Sequence, residues 1–540
     1  MKTDPKLAVN GLSVAIGDRP ILDDLTFDLL NGRSLGLVGE SGSGKSLTAL
    51  TLIGLLPNAS HVTGSIRLDG EELVGLDETA QQSLRGEAIG MVFQEPMTAL
   101  NPMQRAVDQV AETVSLHRDV SYDEARSLAV AQLDRVGLNV ALGERYPHQL
   151  SGGQRQRVVV AIATVLRPGL IIADEPTTAL DVVRQREVLS LLSELVAQDD
   201  TSLMLISHDL AIVAEMADEI VVMRDGRIVD RTTPMQLDAQ EREPYTRSLV
   251  AASVLPTKVE NSIGHDAPLL ELWNIRREYG GGLFRGAPTI AVDNASLTVP
   301  IAGSVGLVGG SGCGKSTLAR IAMMLDRPTS GTVTFGGETL TGLSDGELRP
   351  YRRDMQIVFQ DPGGSFDPRR TVGWSVGEPL HLLSKLTRAE RDDRIADAIR
   401  RVQISPDDRH RYPHEFSGGQ RQRLAIARAI ITEPKLIVAD EAVSALDVSV
   451  RGRVLELFAE LRDELGIALL FISHDLAVVR AVTSEVVVME QGRVVERGPT
   501  STVLHSPEHP VTQALLAASP DLETAIRSRQ TSAANPTTPA

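Results

Sequence analysis

The stretch Gly39-Glu40-Ser41-Gly42-Ser43-Gly44-Lys45-Ser46 directly follows a short apolar run at residues 35–38. A glycine, four further residues and then Gly-Lys-Ser is the spacing of a loop that binds phosphate. Glycines let backbone N–H groups surround an anion without Cβ clashes, and the positive end of the following helix points at the same anion. We therefore expect Lys45 to contact the β- and γ-phosphates of a nucleotide and Ser46 to ligate Mg²⁺.

The same pattern returns as Gly309-Gly310-Ser311-Gly312-Cys313-Gly314-Lys315-Ser316, again after an apolar run. Lys315 follows Lys45 by 270 positions, and Gln360 follows Gln94 by 266, so the two halves differ by a short insertion or deletion between these motifs. One glycine-rich match can arise by chance, but two at equivalent positions make chance negligible. A solenoid repeats every 20–50 residues or so, whereas this interval indicates two whole domains in tandem.

Composition narrows the class of protein further. The 540 residues include 42% hydrophobic and 23% charged side chains, which is ordinary for globular domains, and the net charge is −17. That charge argues against a nucleic-acid binder, whose surface is normally basic. The lone cysteine, Cys313, excludes an internal disulfide and a cysteine-ligated zinc or iron–sulfur site within the chain. We recognise no signal peptide and no apolar run that could span a bilayer, and so expect a cytoplasmic protein without a direct membrane span.

Acidic pairs follow two more apolar runs, as Asp174-Glu175 and as Asp440-Glu441. The first carboxylate of each pair suits a Mg²⁺ ligand, and the second suits a group that polarises the attacking water. An acid after a strand is also a common helix N-cap, but its pairing with a phosphate loop in both halves favours the catalytic interpretation. Apolar strands separated by helices predict a mostly parallel α/β sheet, with the motifs at the carboxyl ends of its strands.

The segment Leu150-Ser151-Gly152-Gly153-Gln154 narrows the reaction class, because it resembles the LSGGQ signature of ATP-binding-cassette (ABC) ATPases. Phe416-Ser417-Gly418-Gly419-Gln420 is a close variant, so the resemblance covers both halves and most of the chain. It implies two tandem P-loop ABC ATPase domains, each an α/β fold with a mostly parallel sheet core, an antiparallel β subdomain and a helical subdomain. Within the same resemblance, two glutamines match the Q-loop and two histidines the switch histidine: Gln94, Gln360, His208 and His474.

The resemblance also implies that each ATP lies between the phosphate loop of one domain and the signature of the other. One site would combine Lys45, Ser46, Gln94, Asp174, Glu175 and His208 with Ser417, Gly418, Gly419 and Gln420. The other would combine Lys315, Ser316, Gln360, Asp440, Glu441 and His474 with Ser151, Gly152, Gly153 and Gln154. The expected Mg²⁺ ligands are Ser46, Gln94, Asp174, Ser316, Gln360 and Asp440. The expected catalytic residues are Glu175, His208, Gln94, Glu441, His474 and Gln360.

Two departures from the family pattern distinguish the halves. The family usually stacks an aromatic residue on adenine upstream of the phosphate loop; Tyr279 fills this place in the second half, whereas Ile16 is the nearest match in the first. We therefore expect weaker adenine stacking in the first half. The second departure is Glu441-Ala442-Val443 in place of Glu175-Pro176-Thr177, which keeps the acid and is expected to affect packing more than chemistry.

Flanking segments resemble the dipeptide, oligopeptide and nickel importer ATPases. These are residues 94–102 and 360–369, the Arg-Tyr-Pro-His segments at 145–148 and 411–414, and the Glu-Pro-Tyr-Thr and His-Pro-Val-Thr segments at 243–246 and 509–512. The resemblance implies import of short peptides at the cytoplasmic face of the cell membrane, with two transmembrane permease subunits and an extracytoplasmic substrate-binding protein. Nickel, glutathione or another small solute is an alternative cargo, and a soluble twin-cassette ATPase acting on ribosomes or DNA is a less favoured alternative. The cysteines that ligate an iron–sulfur cluster in some members are absent.

The predicted organisation is a first domain over residues 1–250, a linker over 251–267, a second domain over 268–522 and a disordered tail over 523–540. The linker lacks periodicity, and the tail is rich in Thr, Ser, Ala, Asn and Pro. Cys313 lies in a phosphate loop near a helix N-terminus, which can lower a thiol pKa, but a tolerant loop position is the favoured interpretation over a redox role.

Overall fold

The computed structural model describes residues 5–178, 180–254, 265–280, 288–361, 363–383, 386–444 and 446–534. The chain divides into two compact units. The first comprises Met1–Leu180, Arg184–Val254 and Pro520–Ala540, and the second comprises Asp181–Val183 and Leu255–Ser519. In the part of the chain that is described, no helix combines the length and the apolar character needed to cross a membrane.

The first half of the chain alternates strands and helices. In chain order these are β1 (Pro5–Ile16), β2 (Arg19–Leu30), β3 (Ser34–Val38), α1 (Lys45–Leu52), β4 (Ser60–Leu68), β5 (Glu71–Glu72), α2 (Glu78–Leu84), β6 (Ile89–Val92), α3 (Pro96–Ala99), α4 (Ala106–His117), α5 (Tyr122–Arg135), α6 (Val140–Gly143), α7 (Gly152–Thr164), β7 (Leu170–Asp174), α8 (Val182–Gln198), β8 (Ser202–Ser207), α9 (Leu210–Met216), β9 (Glu219–Arg224), β10 (Arg227–Thr232) and α10 (Pro244–Ser253).

The second half has the same order of strands but differs in its helices. Its elements are β11 (His265–Tyr279), β12 (Thr289–Ile301), β13 (Ser304–Gly309), α11 (Lys315–Ala322), β14 (Ser330–Phe335), β15 (Glu338–Thr339), α12 (Asp345–Asp354), β16 (Met355–Val358), α13 (Val372–Val376), α14 (Arg388–Arg401), α15 (Gly418–Ile430), β17 (Leu436–Asp440), α16 (Val448–Leu465), β18 (Ala468–Ser473), α17 (Leu476–Val482), β19 (Glu485–Glu490), β20 (Arg493–Pro499), α18 (Thr500–His505), α19 (Pro510–Ala518) and α20 (Leu522–Ala534).

Within the described residues, each unit contains a six-stranded and a four-stranded sheet. In the first unit the six strands run in the order β10-β9-β3-β8-β7-β6, and only the β9–β10 pair is antiparallel. The four-stranded sheet, β2-β1-β4-β5, is antiparallel throughout. The second unit has the corresponding orders β16-β17-β18-β13-β19-β20 and β12-β11-β14-β15. With α3 to α6 inserted between β6 and α7, these sheets confirm the predicted fold class.

The central strands are buried because both faces of the parallel sheet are covered. Every residue of β7, β8, β13, β17 and β18 is buried. Their apolar sequences therefore supply the core, and polar side chains occur at the carboxyl ends: Asp174, Ser207, Asp440 and Ser473. This arrangement brings the ends of β3, β7 and β8, and of their counterparts in the second unit, to one edge of each sheet.

The segment predicted as a disordered tail differs from the structure over residues 523–534, which belong to α20. Leu522, Ala525 and Ile526 recur at the spacing of one helix face and are buried in the apolar core of the first unit. The Arg529 guanidinium donates to the carbonyls of Glu215 and Ala217 at 2.7 and 3.2 Å, where α9 ends. A polar composition concealed this apolar stripe. Residues 535–540, and residues 255–264 of the predicted linker, lie outside the described residues.

Candidate active site

The loop after β3 has a backbone that requires glycine at two points. Gly44, the N-cap of α1, has φ 101°, in the left-handed region that side chains disfavour. A Cβ on Gly39 would lie 2.3 Å from the carbonyl oxygen of Met223 on β9. Gly314 and Gly309 repeat both features, with φ 106° and a 2.3 Å approach to the Met489 carbonyl. The two motifs therefore form the same loop.

The lysine of each loop is buried and held by carbonyl groups of its own loop. Lys45 Nζ donates to the carbonyl oxygens of Gly39 and Glu40, both at 2.8 Å. Lys315 Nζ donates to those of Gly309 and Gly310 at 2.9 and 3.0 Å. A phosphate offers charged acceptors that form stronger hydrogen bonds than neutral carbonyls, so each ammonium group is poised for anion binding.

A serine and an aspartate meet beside each loop. Ser46 Oγ donates to Asp174 Oδ1 at 3.1 Å, and Ser316 Oγ donates to Asp440 Oδ1 at 3.2 Å. Adjacent oxygen ligands of Mg²⁺, each at about 2.1 Å from the metal, are separated by about 3 Å, so both pairs have a suitable spacing and chemistry. Burial raises the pKa of Asp174 to about 6 and raises the pKa of Asp440 as well, because no cation there fully offsets the lost hydration.

Glu175 lies one residue past β7 in a left-handed conformation, with φ 46°. Its backbone N–H donates to the Ile206 carbonyl at 2.9 Å, which fixes it between β7 and β8. Its carboxylate accepts hydrogen bonds from Gln94 Nε2 at 2.8 Å and Thr178 Oγ1 at 2.9 Å, and lies 3.0 Å from His208 Nδ1. Burial alone would raise the pKa of Glu175, but His208, Thr178 and the charge of Lys45 outweigh it and lower the pKa. The carboxylate is therefore ionised at neutral pH and can orient a water molecule.

Glu441 has the same backbone and a different set of neighbours. Its φ is 48°, its N–H donates to the Ile472 carbonyl at 3.0 Å, and its carboxylate lies 3.5 Å from His474 Nδ1. Burial opposes ionisation here too, but His474 and Lys315 leave the pKa lowered. Ser444 occupies the position of Thr178, and its hydroxyl donates to the Glu441 backbone carbonyl at 2.9 Å. Among the described residues, the Thr178 hydroxyl donates to the Glu175 carboxylate, whereas the Ser444 hydroxyl donates to a backbone carbonyl instead. Gln360 lies two residues past β16, as Gln94 lies two residues past β6.

The predicted signature segments form the N-termini of α7 and α15. Ser151 Oγ accepts from the Gln154 N–H at 3.3 Å, and Gln154 Oε1 accepts from the Ser151 N–H at 2.9 Å. Ser417 and Gln420 form the same reciprocal cap at the same distances. The N–H groups of the first helical turn have no partner inside the helix, so both termini attract anions. Gly152 and Gly153, with Gly418 and Gly419, keep this turn free of bulky side chains.

The two predicted adenine-stacking positions are structurally equivalent, since Ile16 is the last residue of β1 and Tyr279 is the last residue of β11. The Arg277 guanidinium lies over one face of the Tyr279 ring, 4.6 Å from its centroid, and pairs with Asp326 at 2.7 Å. The Tyr279 hydroxyl also donates to Asp326. Sequence reasoning missed Arg277, Asp326 and Thr178, because only the contacts around Tyr279 and Glu175 give these residues a role.

Cys313 is buried within its loop, at the position of Ser43. Burial raises the pKa of the thiol, although Lys315 and backbone N–H groups oppose the shift. The thiol is therefore protonated at neutral pH, which agrees with packing as its role and weighs against a reactive thiolate.

Comparison with known proteins identifies the family. The family model described as ABC transporter matches residues 22–178 and 292–444. This chain belongs to the ABC transporter family. The glutathione import ATP-binding protein GsiA of Pectobacterium atrosepticum is 41% identical to this ABC protein, over 94% of this chain and 88% of its own length. The peptidoglycan transport ATP-binding protein YejF of Agrobacterium fabrum is 42% identical, over 96% and 97% respectively.

One solved ATP-binding cassette, in a post-hydrolysis state with ADP and Pi, is 29% identical and has a TM-score of 0.40; the match covers 43% of this chain and 98% of that one. The family match and the relatives identify this ABC protein as an ATPase that couples ATP hydrolysis to transport, with two ABC cassettes that bind ATP.

Proposed function

We propose that this ABC ATPase powers the import of short peptides, dipeptides and oligopeptides, through a membrane transporter. The observation that carries the proposal is the duplication of one cluster: each unit has a lysine in a phosphate loop, a Ser–Asp pair, and a glutamate beside a histidine. Relatives named for glutathione import and for peptidoglycan transport support a peptide-like cargo. Glutathione, nickel or another small solute is the alternative cargo.

The chemistry of each candidate side chain suits it to a particular role in ATP binding or hydrolysis. Lys45 and Lys315 bind the β- and γ-phosphates, and the N–H groups of residues 39–46 and 309–316 surround them. Glu175 and Glu441 orient the attacking water, while His208 and His474 hold those carboxylates in place. Ser151–Gln154 and Ser417–Gln420 contribute helix N-termini to phosphate binding.

Mg²⁺ fits beside each loop, where Ser46, Asp174 and Gln94, or Ser316, Asp440 and Gln360, would hold it. When bound, it neutralises charge on the phosphate oxygens. The ionised form of Asp174 is the one that attracts a cation, so the raised pKa of this group predicts weaker Mg²⁺ binding in acid.

We also propose the setting in which the ATPase works. Two transmembrane permease subunits and an extracytoplasmic substrate-binding protein complete the importer, and the ATPase lies at the cytoplasmic face of the cell membrane. No nucleic-acid partner and no iron–sulfur cluster is assigned to this chain. Residues 1–250 and 268–522 are proposed as the two cassettes with their C-terminal extensions.

Co-purification and transport test this proposal. The chain, expressed with the membrane-protein genes of its own host, should purify in detergent with two permease subunits. Vesicles containing the complex should then take up labelled dipeptides when ATP and the binding protein are present. Uptake of glutathione or nickel, with no competition from dipeptides, would replace the proposed cargo. Purification on ribosomes alone, without membrane subunits, would refute the transport setting.

A further inference from the structure

The C-terminal extension of the first cassette places a buried phenol against the phosphate loop. Tyr245, in the first turn of α10, is 7% exposed. Its hydroxyl oxygen accepts a hydrogen bond from the backbone N–H of Glu40 at 3.1 Å. The carbonyl of the same Glu40 accepts from Lys45 Nζ at 2.8 Å. One loop residue therefore connects the phenol to the ammonium group that is proposed to bind phosphate.

Several contacts fix the first turn of α10, which carries Tyr245. The Glu243 carboxylate caps α10 by accepting from the N–H groups of Tyr245 and Thr246, at 2.6 and 3.2 Å. Thr246 Oγ1 donates to Asp230 Oδ2 on β10 at 2.8 Å. The Arg224 guanidinium, at the end of β9, lies 5.0 Å from the centre of the tyrosine ring. Because β9 pairs with β3, which leads into the loop, the hydroxyl and the loop share one rigid support.

The second cassette has the same support without the phenol. His509 Nδ1 accepts from the Val511 N–H at 3.3 Å at the start of α19, as Glu243 does at α10. Thr512 Oγ1 donates to Glu496, which occupies the position of Asp230. Val511 stands where the first cassette has Tyr245, and a valine side chain cannot accept a hydrogen bond. The tyrosine is therefore not required to build the extension, which points to a role at the loop itself.

We propose that Tyr245 is a positioning residue for the phosphate loop of the first cassette. It holds the Glu40 amide, and through Glu40 it fixes the loop carbonyl that orients Lys45. The second cassette lacks this control, because Val511 occupies the equivalent position. The inference rests on the proposed role of residues 39–46 in ATP binding. On this proposal, the phosphate loop of the first cassette is held more firmly than that of the second before nucleotide binds.

Equilibrium binding of MgATP to the full chain tests the assignment. Lys315→Ala disables the second loop, so binding in that background reports on the first; Lys45→Ala serves as the opposite background. Tyr245→Phe keeps the ring and its packing but removes the hydroxyl. One neutral hydrogen bond corresponds to about a two- to tenfold change in Kd. We expect that weakening in the Lys315→Ala background and no change in the Lys45→Ala background. The proposal would be overturned if Tyr245→Phe left MgATP binding by the first loop unchanged. It would also be overturned if the substitution weakened MgATP binding equally in both backgrounds.

Hydrogen exchange provides a readout that does not depend on nucleotide. In the ligand-free chain, Tyr245→Phe should accelerate deuterium uptake in peptides that cover residues 39–44 and leave peptides that cover 309–314 unchanged. Unchanged uptake in the first loop would refute the contact. The two proposals can fail separately: a Lys315→Ala chain that binds no MgATP contradicts the proposed nucleotide site, whereas the exchange rates still decide whether Tyr245 holds the loop.

Discussion

Replacing Asp174 with asparagine should stabilise the metal-free protein while impairing its activity. Asp174 is 5% exposed, and burial raises its pKa from 3.8 to about 6. A shift of roughly two units corresponds to about 3 kcal/mol by which the ionised carboxylate destabilises the folded state. Asparagine has nearly the same shape and can still accept the hydrogen bond from Ser46, so Asp174→Asn removes the charge with little change in packing.

The pH dependence gives the sign of the effect. Because the folded pKa is raised, the destabilisation is complete above about pH 6 and disappears as the pH falls towards 3.8. At pH 7.5 in EDTA, Asp174→Asn should raise the melting temperature of the first unit by about 6–12 °C, at about 2–4 °C per kcal/mol. At pH 5 the gain should fall to about half. Scanning calorimetry at both pH values measures it.

A matched control removes a carboxylate charge from an exposed side chain, where the charge carries no cost of burial. Asp225, with a side chain that is 89% exposed, can be replaced by asparagine, and its effect should stay within about 0.5 kcal/mol at either pH. Mg²⁺-dependent ATP hydrolysis should fall in Asp174→Asn and not in Asp225→Asn. A destabilised Asp174→Asn chain at pH 7.5, or a gain that is the same at pH 5, would refute the reasoning.

Three further variants test the catalytic glutamates, the adenine-stacking tyrosine and the last helix. Glu175→Gln combined with Glu441→Gln should nearly abolish phosphate release while retaining equilibrium ATP binding, because the oriented water is lost and the phosphate loops are kept; rapid hydrolysis by the double variant would contradict these assignments. Tyr279→Ala should weaken ATP binding by the second loop about 10- to 100-fold, as expected for loss of base stacking, and should weaken GTP binding similarly; an unchanged Kd would remove Tyr279 from the site. Ile526→Ala should lower the free energy of unfolding of the first unit by about 2–5 kcal/mol, measured in urea, and a neutral result would mean that α20 does not pack there in solution.

The sequence predicted the features that local spacing determines. Residues 39–46 and 309–316 require one loop geometry wherever they follow a buried strand, and the structure confirms the α/β class with two cassettes. Ser151 and Ser417 similarly predict helix N-termini. Each serine and the glutamine three residues after it can accept hydrogen bonds from N–H groups that have no partner inside the helix. Neither feature depends on a distant part of the chain.

Contacts between distant segments were not predictable in the same way. Tyr245 reaches Glu40 across 205 positions, and Arg529 reaches the end of α9 across more than 300. The hydrophobic pattern of either segment does not indicate its partner, because the two residues of each pair come together only when the chain folds. The segment around Arg529 has a mostly polar composition, although three of its side chains are buried. That composition led to the prediction of a disordered tail where the structure has α20.

The position of α20 imposes an order on biosynthesis. Most of the first unit is synthesised first, yet part of its apolar surface is covered by residues 522–526, which leave the ribosome only after the second unit has been made. At about 5–20 residues per second, the intervening segment takes roughly 15–50 s to synthesise. During that interval the surface beside α9 has no helix over it and is open to chaperones. A chain that ended before residue 522 would leave this surface without the helix that covers it.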